Sequence, residues 1–184
     1  MIIVVSPTKT IKSKKLNIEK ELPPFLDESK VLRKQLEAMS KDELKTLYKA
    51  SDKIIEHNYT MYQEVQPSLA ALDAYAGLVF QQLDYDDFTE DHYKYMSEHL
   101  RILSTLYGIL KIDSEIHPYR LDYTMPFPQS LYTYWEEVLT NYVKDHDCII
   151  NLASQEYINS FKHHNVVNIH FVDENNRSFA TASK

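Results

Sequence analysis

Apolar positions along the chain follow two rhythms. Ile2-Ile3-Val4-Val5 is a continuous β-branched run closed by Ser6-Pro7, the pattern of a strand buried on both faces. From about Glu28 to Met39 the period changes, because Val31, Leu32, Leu36 and Met39 recur at helical spacing. Ser40-Lys41-Asp42-Glu43 then reads as a capping box that opens a second helix. Helical spacing returns from about Ser51 to Glu64, Ser68 to Gln81 and Glu90 to Leu106, the last placing Tyr93, Met96, Leu100 and Leu103 on one face. The acidic stretch Asp84 to Asp91 precedes that helix, with Thr89 as its expected cap. After Gly108 the sequence turns irregular through Pro118, Pro126 and Pro128, and helical spacing resumes from about Leu131 to Tyr142. Cys148-Ile149-Ile150-Asn151-Leu152 predicts a second buried strand, Ser154 to about Phe161 a short helix, and Val166 to Val172 a third strand. A further strand start falls at Phe179. These elements predict an α/β (α+β-like) fold, a small mixed or parallel sheet with a long helical insertion after its first strand.

Composition narrows the class. The 184 residues, 43% hydrophobic and 26% charged, fit a single domain over residues 1–184 with a full core. The two glycines, Gly77 and Gly108, lie too far apart for a P-loop or a G-x-G-x-x-G dinucleotide fingerprint. A lone cysteine, Cys148, excludes an intrachain disulfide and every C-x-x-C motif, as expected of a reducing cytosol. No segment approaches the ~20 apolar residues of a membrane span, and the apolar start is too short for a signal peptide. A cytoplasmic protein without a membrane partner is the expectation. The net charge of −7 opposes long-range attraction to nucleic acid, so any such contact must be local.

Candidate chemistry collects after the predicted strands. Ser6-Pro7-Thr8-Lys9-Thr10 and Asn151-Leu152-Ala153-Ser154 both follow buried strands, and open α/β sheets bind ligands at such ends. Each admits a plainer reading, in which Ser6 and Thr8 satisfy loop backbone and Ser154 caps a helix. If the two strands are parallel neighbours, their loops share one crevice. Lys41, Lys45 and Lys49 align at i, i+4, i+8 ahead of Ser51-Asp52-Lys53, either as an anion-facing row or as a solvated face neutralised by Asp42 and Glu43. Lys9, Lys12, Lys14 and Lys15 form a second basic group. In His99 to Lys111, an amphipathic helix running into Gly108 resembles half of a helix-hairpin-helix; the alternative is a left-handed glycine that merely ends the helix. Arg120, one of four arginines, sits in His117-Pro118-Tyr119-Arg120-Leu121-Asp122, placed to clamp a phosphate or to pair with Asp122. His92 and His99 share a helix face without completing a metal set, and Cys148 lies in a buried strand, away from catalysis. No metal centre and no cofactor is expected.

Taken in order, Ser6-Pro7-Thr8-Lys9-Thr10, Ser51-Asp52-Lys53, Leu106-Tyr107-Gly108, Pro118-Tyr119-Arg120-Leu121, Leu131-Tyr132 with Trp135, and Asn151-Leu152-Ala153-Ser154 with Glu156-Tyr157 resemble the YaaA family of peroxide stress resistance proteins. The resemblance spans essentially the whole chain. It implies a protein that helps cells survive hydrogen peroxide, limits iron-driven damage, and binds double-stranded DNA through backbone contacts from a helix-hairpin-helix-like element. By position, that element draws on Arg101, Ser104, Leu106, Tyr107, Gly108, Ile109 and Lys111. The adjoining crevice draws on Ser6, Thr8, Lys9, Ser51, Lys53, Arg120, Asn151 and Ser154. Thr8 and Thr105 stand where the family usually has alanine and glycine. Family members typically continue for several dozen residues, including a basic segment, so the chain resembles a shortened member that lacks the family's C-terminal segment. The alternative reading is an enzyme that acts on a nucleotide or another phosphorylated small molecule in the crevice. Whether the chain is an enzyme stays open at this point.

Overall fold

Ile2–Val5 forms β1, the central strand of a five-stranded sheet in a computed structural model that describes residues 1–169 together with Val172 and Glu174. Parallel to β1 on one side lies β3, Leu100–Ser104, with Ile3 level with Leu100 and Val5 level with Ile102. On the other side β6, Ile149–Asn151, pairs in parallel with β1, and β7, Val166–Asn168, pairs in parallel with β6. The antiparallel β4, Gly108–Leu110, closes the edge beyond β3, which gives the order β4-β3-β1-β6-β7. Ile2, Val4, Ile102, Leu103, Ile109 and Ile149 are almost wholly buried, as a sheet covered on both faces requires.

The long helical insertion lies between β1 and β3. It holds α1 (Leu26–Ala38), α2 (Lys41–Tyr48), α3 (Asp52–Gln63), the one-turn α4 (Ala71–Ala74) and α5 (Leu78–Gln81), and α6 (Glu90–His99). The Ser40 capping box forms as read: the Ser40 hydroxyl accepts the Glu43 N–H at 3.3 Å, and Glu43 accepts the Ser40 N–H at 2.8 Å. Thr89 caps α6 through the His92 N–H. After β4 come α7 (Leu131–Val143) and, between β6 and β7, the one-turn α8 (Gln155–Ile158). A second, two-stranded sheet pairs β2, Leu69–Ala70, with β5, Glu115–Ile116.

Four expectations need correction. The helix read from Ser68 to Gln81 is broken into β2, α4 and α5, with Tyr75-Ala76-Gly77 as the break. Backbone pairing of that break with the β1 loop explains it, since the Lys12 N–H donates to Ala74 O and the Ala76 N–H to Thr10 O. The helix read from Glu90 to Leu106 stops at His99, because Leu100 to Ser104 enter the sheet as β3. The helix-hairpin-helix-like element is therefore a β-hairpin: Thr105-Leu106-Tyr107 turn the chain, and Gly108, at φ 73°, takes the left-handed conformation where the turn enters β4. Strand β7 ends at Asn168, short of the expected Val172, and the strand start read at Phe179 lies outside the described residues. Among the described residues no helix is long and apolar enough to cross a membrane.

Candidate functional site

Strand order decides where a crevice can form. The chain leaves β1 for β3 on one side and later returns to β6 on the other, so the ends of β1 and β6 flank a topological switch point of the sheet. The loops that follow them meet, as the parallel-neighbour reading required. The Ser154 N–H donates to Ser6 Oγ at 2.9 Å, and Ser6 Oγ lies 3.4 Å from Ser154 Oγ. Both serines thus serve to join the loops. Asn151 is also spent on structure, since its Oδ1 accepts the Ala153 N–H and its Nδ2 donates to Asn168 Oδ1, each at 2.8 Å. Ser154 makes no side-chain cap bond to α8, and one turn of helix carries little dipole.

The β1 loop is held from below. The Lys14 ammonium donates to three carbonyls, Leu72 O at 2.6 Å, Tyr75 O at 2.8 Å and Asp73 O at 3.0 Å. Asp73 accepts the Lys14 N–H at 2.7 Å and the Ser13 hydroxyl at 2.9 Å. Burial lowers the Lys14 pKa from its ordinary value, and the Asp73 charge opposes that shift. Thr8 sits so close over Gly77 that a Cβ there would fall 2.3 Å from Thr8 Cγ2. Only glycine admits that approach.

So fixed, the loop presents Lys9 at the crevice mouth. The Lys9 side chain is 72% exposed, yet its Nζ lies 3.2 Å from Asp122 Oδ2, whose side chain is only 7% exposed. Asp122 Oδ1 accepts the Thr124 N–H at 3.1 Å and the Thr124 hydroxyl at 2.6 Å. Asp122 therefore pairs with Lys9 rather than with Arg120. Arg120 has no described carboxylate partner, and its buried Nε finds no acceptor. Its guanidinium rests 5.4 Å from the Tyr48 ring, while its backbone N–H donates to the Tyr62 hydroxyl at 3.0 Å. Lys9, Arg120, Asp122, Tyr119 and Tyr157 line one small cavity of about 20 Å³. That holds a water, far below the roughly 300–1,000 Å³ of a drug-sized ligand site.

Glu156, in the first turn of α8, adds a second carboxyl. Its Oε1 accepts the Tyr123 N–H at 3.2 Å. Burial raises its pKa above the ordinary carboxylate value, and the Asp122 charge adds to this; the Tyr123 N–H and Lys9 oppose it. Tyr119 and Tyr157 are held protonated chiefly by burial, and Tyr119 bonds to Tyr75 and Ser104 hydroxyls at 2.9 and 2.8 Å. Tyr119, Glu156 and Tyr157 belong to stretches that carry the resemblance, but no local pattern gave them a role in the site. The one signal was the position of Glu156 and Tyr157 just beyond a strand end.

The remaining candidates lie elsewhere. Arg101, Ser104, Leu106, Tyr107, Gly108 and Ile109 are buried within the sheet and its hairpin. The Arg101 guanidinium donates to Tyr142 Oη, Ser97 O, Leu100 O and Glu98 O, so it closes the end of α6. None of these six presents a side chain to a phosphate outside the fold. Lys111 is half-exposed, 3.9 Å from Glu21. Ser51 and Lys53 are exposed at the start of α3, and no described hydrogen bond or ion pair ties them to the crevice. Two lysines of the row are paired on the solvated face, Lys41 with Glu56 and Lys45 with Asp52, each at 2.6 Å, rather than with the expected Asp42 and Glu43. Among the described residues no group of three or more His, Cys, Asp and Glu is arranged to hold a metal.

A family model described as "Peroxide stress protein YaaA" matches residues 1–184. A UPF0246 protein of Finegoldia magna is 40% identical over 159 residues, which are 85% of this chain and 64% of that protein. A UPF0246 protein of Lactobacillus delbrueckii subsp. bulgaricus is 37% identical over 164 residues, 85% of this chain and 67% of its own length. A UPF0246 protein of Rickettsia rickettsii is 33% identical over 196 residues, 98% of this chain and 79% of its own length. The chain thus spans just under two thirds of the Finegoldia magna relative.

Proposed function

The chain belongs to the peroxide stress protein YaaA family, and on that premise we propose that it protects by sequence-independent contact with the phosphates of duplex DNA, through Lys9 and Arg120 at the crevice mouth. The observation that carries this reading is Arg120, an arginine that among the described residues has no carboxylate partner and whose buried Nε has no acceptor, on the wall of the cavity that Lys9 overhangs. Lysine and arginine hold phosphate oxygens without reading bases. A cavity of about 20 Å³ excludes a base and leaves room only for a group reached from outside, which favours a backbone phosphate over an enclosed nucleotide. Neutralising a phosphate also releases its condensed counterions. Ferrous iron is such a counterion, so contact of this kind would limit iron-driven oxidative damage at the DNA.

Fluorescence anisotropy of a labelled duplex at several salt concentrations tests the reading. Two phosphate contacts predict a slope of log affinity on log salt of about −2, reduced by about one unit in Lys9→Ala and again in Arg120→Ala. A slope unchanged in both variants moves the contact away from the crevice. The second reading, an enzyme on a phosphorylated small molecule, draws on the switch-point position of the same residues. It predicts that a nucleotide raises the melting temperature and that duplex DNA does not bind.

A further inference from the structure

Apart from the crevice, we propose a second binding site, a cavity of about 200 Å³ between α1 and the chain around β5 that takes a small apolar α-amino acid, with its carboxylate on Arg33, Lys30 and Tyr107 and its ammonium on Glu115 and His117. This cavity shares no lining residue with the crevice. One wall is a helix face, because Leu26, Ser29, Lys30 and Arg33 recur at i, i+3, i+4 and i+7 along α1. Tyr107 from the hairpin turn, Glu115 of β5 and His117 just beyond it complete the lining with Pro23. The volume lies between the roughly 30 Å³ of a water and the roughly 300 Å³ at which drug-sized sites begin, which suits a metabolite of amino-acid size.

The open hydrogen-bonding groups sort by sign. Arg33 is clamped, with Nε on Glu37 Oε1 at 2.9 Å and Nη1 on Pro118 O at 3.3 Å, while Nη2 has no partner among the described residues. The Tyr107 hydroxyl accepts the His117 N–H at 2.9 Å, which leaves its own proton to donate. The Lys30 ammonium pairs with Asp27 at 3.2 Å across exposed surface, a contact of little worth. These three donors suit a carboxylate. Glu115 Oε1 accepts the Ser68 hydroxyl and lies 3.6 Å from Lys20 Nζ, and Oε2 has no partner among the described residues. The Ser68 bond holds this carboxyl below its ordinary pKa, so it is ionised at neutral pH. His117 Nδ1 lies 3.1 Å from Gln66 O. A carbonyl only accepts, so Nδ1 carries the proton and Nε2 of the neutral ring is an acceptor. Oε2 and Nε2 together suit an ammonium. The Tyr107 hydroxyl feels the charges of Arg33 and Glu115 at once, so one small molecule spans both ends. A zwitterion with carboxylate and ammonium on one carbon satisfies both sets, and Pro23 and Leu26 offer contact to its apolar side chain.

The test follows three probes by nuclear magnetic resonance shifts at neutral pH: L-valine, isovalerate, which lacks the ammonium, and isobutylamine, which lacks the carboxylate. L-valine should bind at least about tenfold more tightly than either fragment. Glu115→Gln should weaken L-valine about tenfold without weakening isovalerate, and Lys30→Ala should weaken L-valine and isovalerate without weakening isobutylamine. Unfolding midpoints of the two variants confirm that each is folded. L-valine bound no more tightly than its fragments would overturn the proposal, as would affinity for L-valine unchanged in both folded variants or no binding of any probe at millimolar concentration. Lys9 and Arg120 take no part in this cavity, so the duplex titration can fail with L-valine binding intact, and the reverse.

Discussion

Trp135 occupies the space that a side chain on Gly108 would need: a Cβ built there would lie 2.8 Å from Trp135 Cζ3 and 3.1 Å from Leu139 Cδ2. The indole is itself fixed, since its Nε1–H donates to Thr105 O at 2.8 Å in the same hairpin turn. Gly108 also has φ 73°, where a β-branched residue is strained. Gly108→Val should therefore destabilise the fold by about 3 kcal/mol or more, from backbone strain and overpacking together. Urea unfolding measures it. Any loss of DNA binding in this variant should track the loss of folded protein, and a folded Gly108→Val with selectively lost binding would return the hairpin to the interface.

Arg101 and Lys9 should separate in the same way. Arg101 is 6% exposed and its guanidinium holds three carbonyls around the end of α6, so Arg101→Ala empties a buried position and takes the shared donor from all three acceptors. A cost of about 2–4 kcal/mol follows, read as a lower unfolding midpoint. Lys9→Ala removes an exposed cation and should leave the unfolding midpoint nearly unchanged while weakening duplex binding. The opposite pattern, a stable Arg101→Ala that fails to bind and a Lys9→Ala that binds normally, would exchange their roles.

Much of the frame is legible in the sequence, and the failures share a cause. β1 and β6 announce themselves as continuous apolar runs, and α2 by its capping box, because each pattern has one structural solution. Leu100-Arg101-Ile102-Leu103 does not: buried on both faces, it shows no alternation, and its tail extends the helical spacing of Tyr93 and Met96. The corrective signal was the Ser104-Thr105-Leu106-Tyr107 turn ahead of Gly108, flanked by apolar pairs, which suits a hairpin loop. In the crevice, Ser6, Lys9 and Ser154 were findable from strand ends alone. Asp122 and Glu156 were not assigned, because the pairing of Asp122 with Lys9 and the bond from the Tyr123 N–H to Glu156 depend on contacts far apart in sequence.

Lys14 links the insertion to the crevice. Its three carbonyl bonds are charge-assisted and half-buried, and they anchor the segment that carries Lys9. Lys14→Met keeps the stem and removes the donors, leaving three carbonyls short of a partner. The expected cost is about 2 kcal/mol, with faster amide exchange over residues 10–16 than elsewhere in the sheet. Unchanged exchange in that loop would show that the backbone bonds of Lys12 and Ala76 hold it unaided.

The tyrosines predict how the fold ends in alkali. Burial raises the pKa of Tyr62, Tyr75, Tyr107, Tyr119, Tyr123 and Tyr157 above the ordinary value of 10.0, and that of Tyr48 likewise, with Tyr62 adding to it. The unfolded chain loses these protons from about pH 10 while the native protein keeps them. The native state then binds more protons, so stability is fully present below pH 10 and falls as pH rises beyond it. Each tyrosine held protonated removes about 1.4 kcal/mol per pH unit, against a total stability of roughly 5–15 kcal/mol. Lys14, shifted the other way, offsets one of them in part. Tyr85, pushed up to about 12, and Tyr132 and Tyr134, raised chiefly by burial, are partly exposed and add less. The fold should hold to about pH 10 and then fail cooperatively within roughly one pH unit, with tyrosinate absorbance and loss of helical circular dichroism rising together. Tyr119→Phe removes one such proton but strands Ser104 and Tyr75, so it should be less stable at neutral pH and flatter in its alkaline decline. Tyrosinate absorbance that grows smoothly from pH 10 with the helices intact would contradict the burial on which the prediction stands.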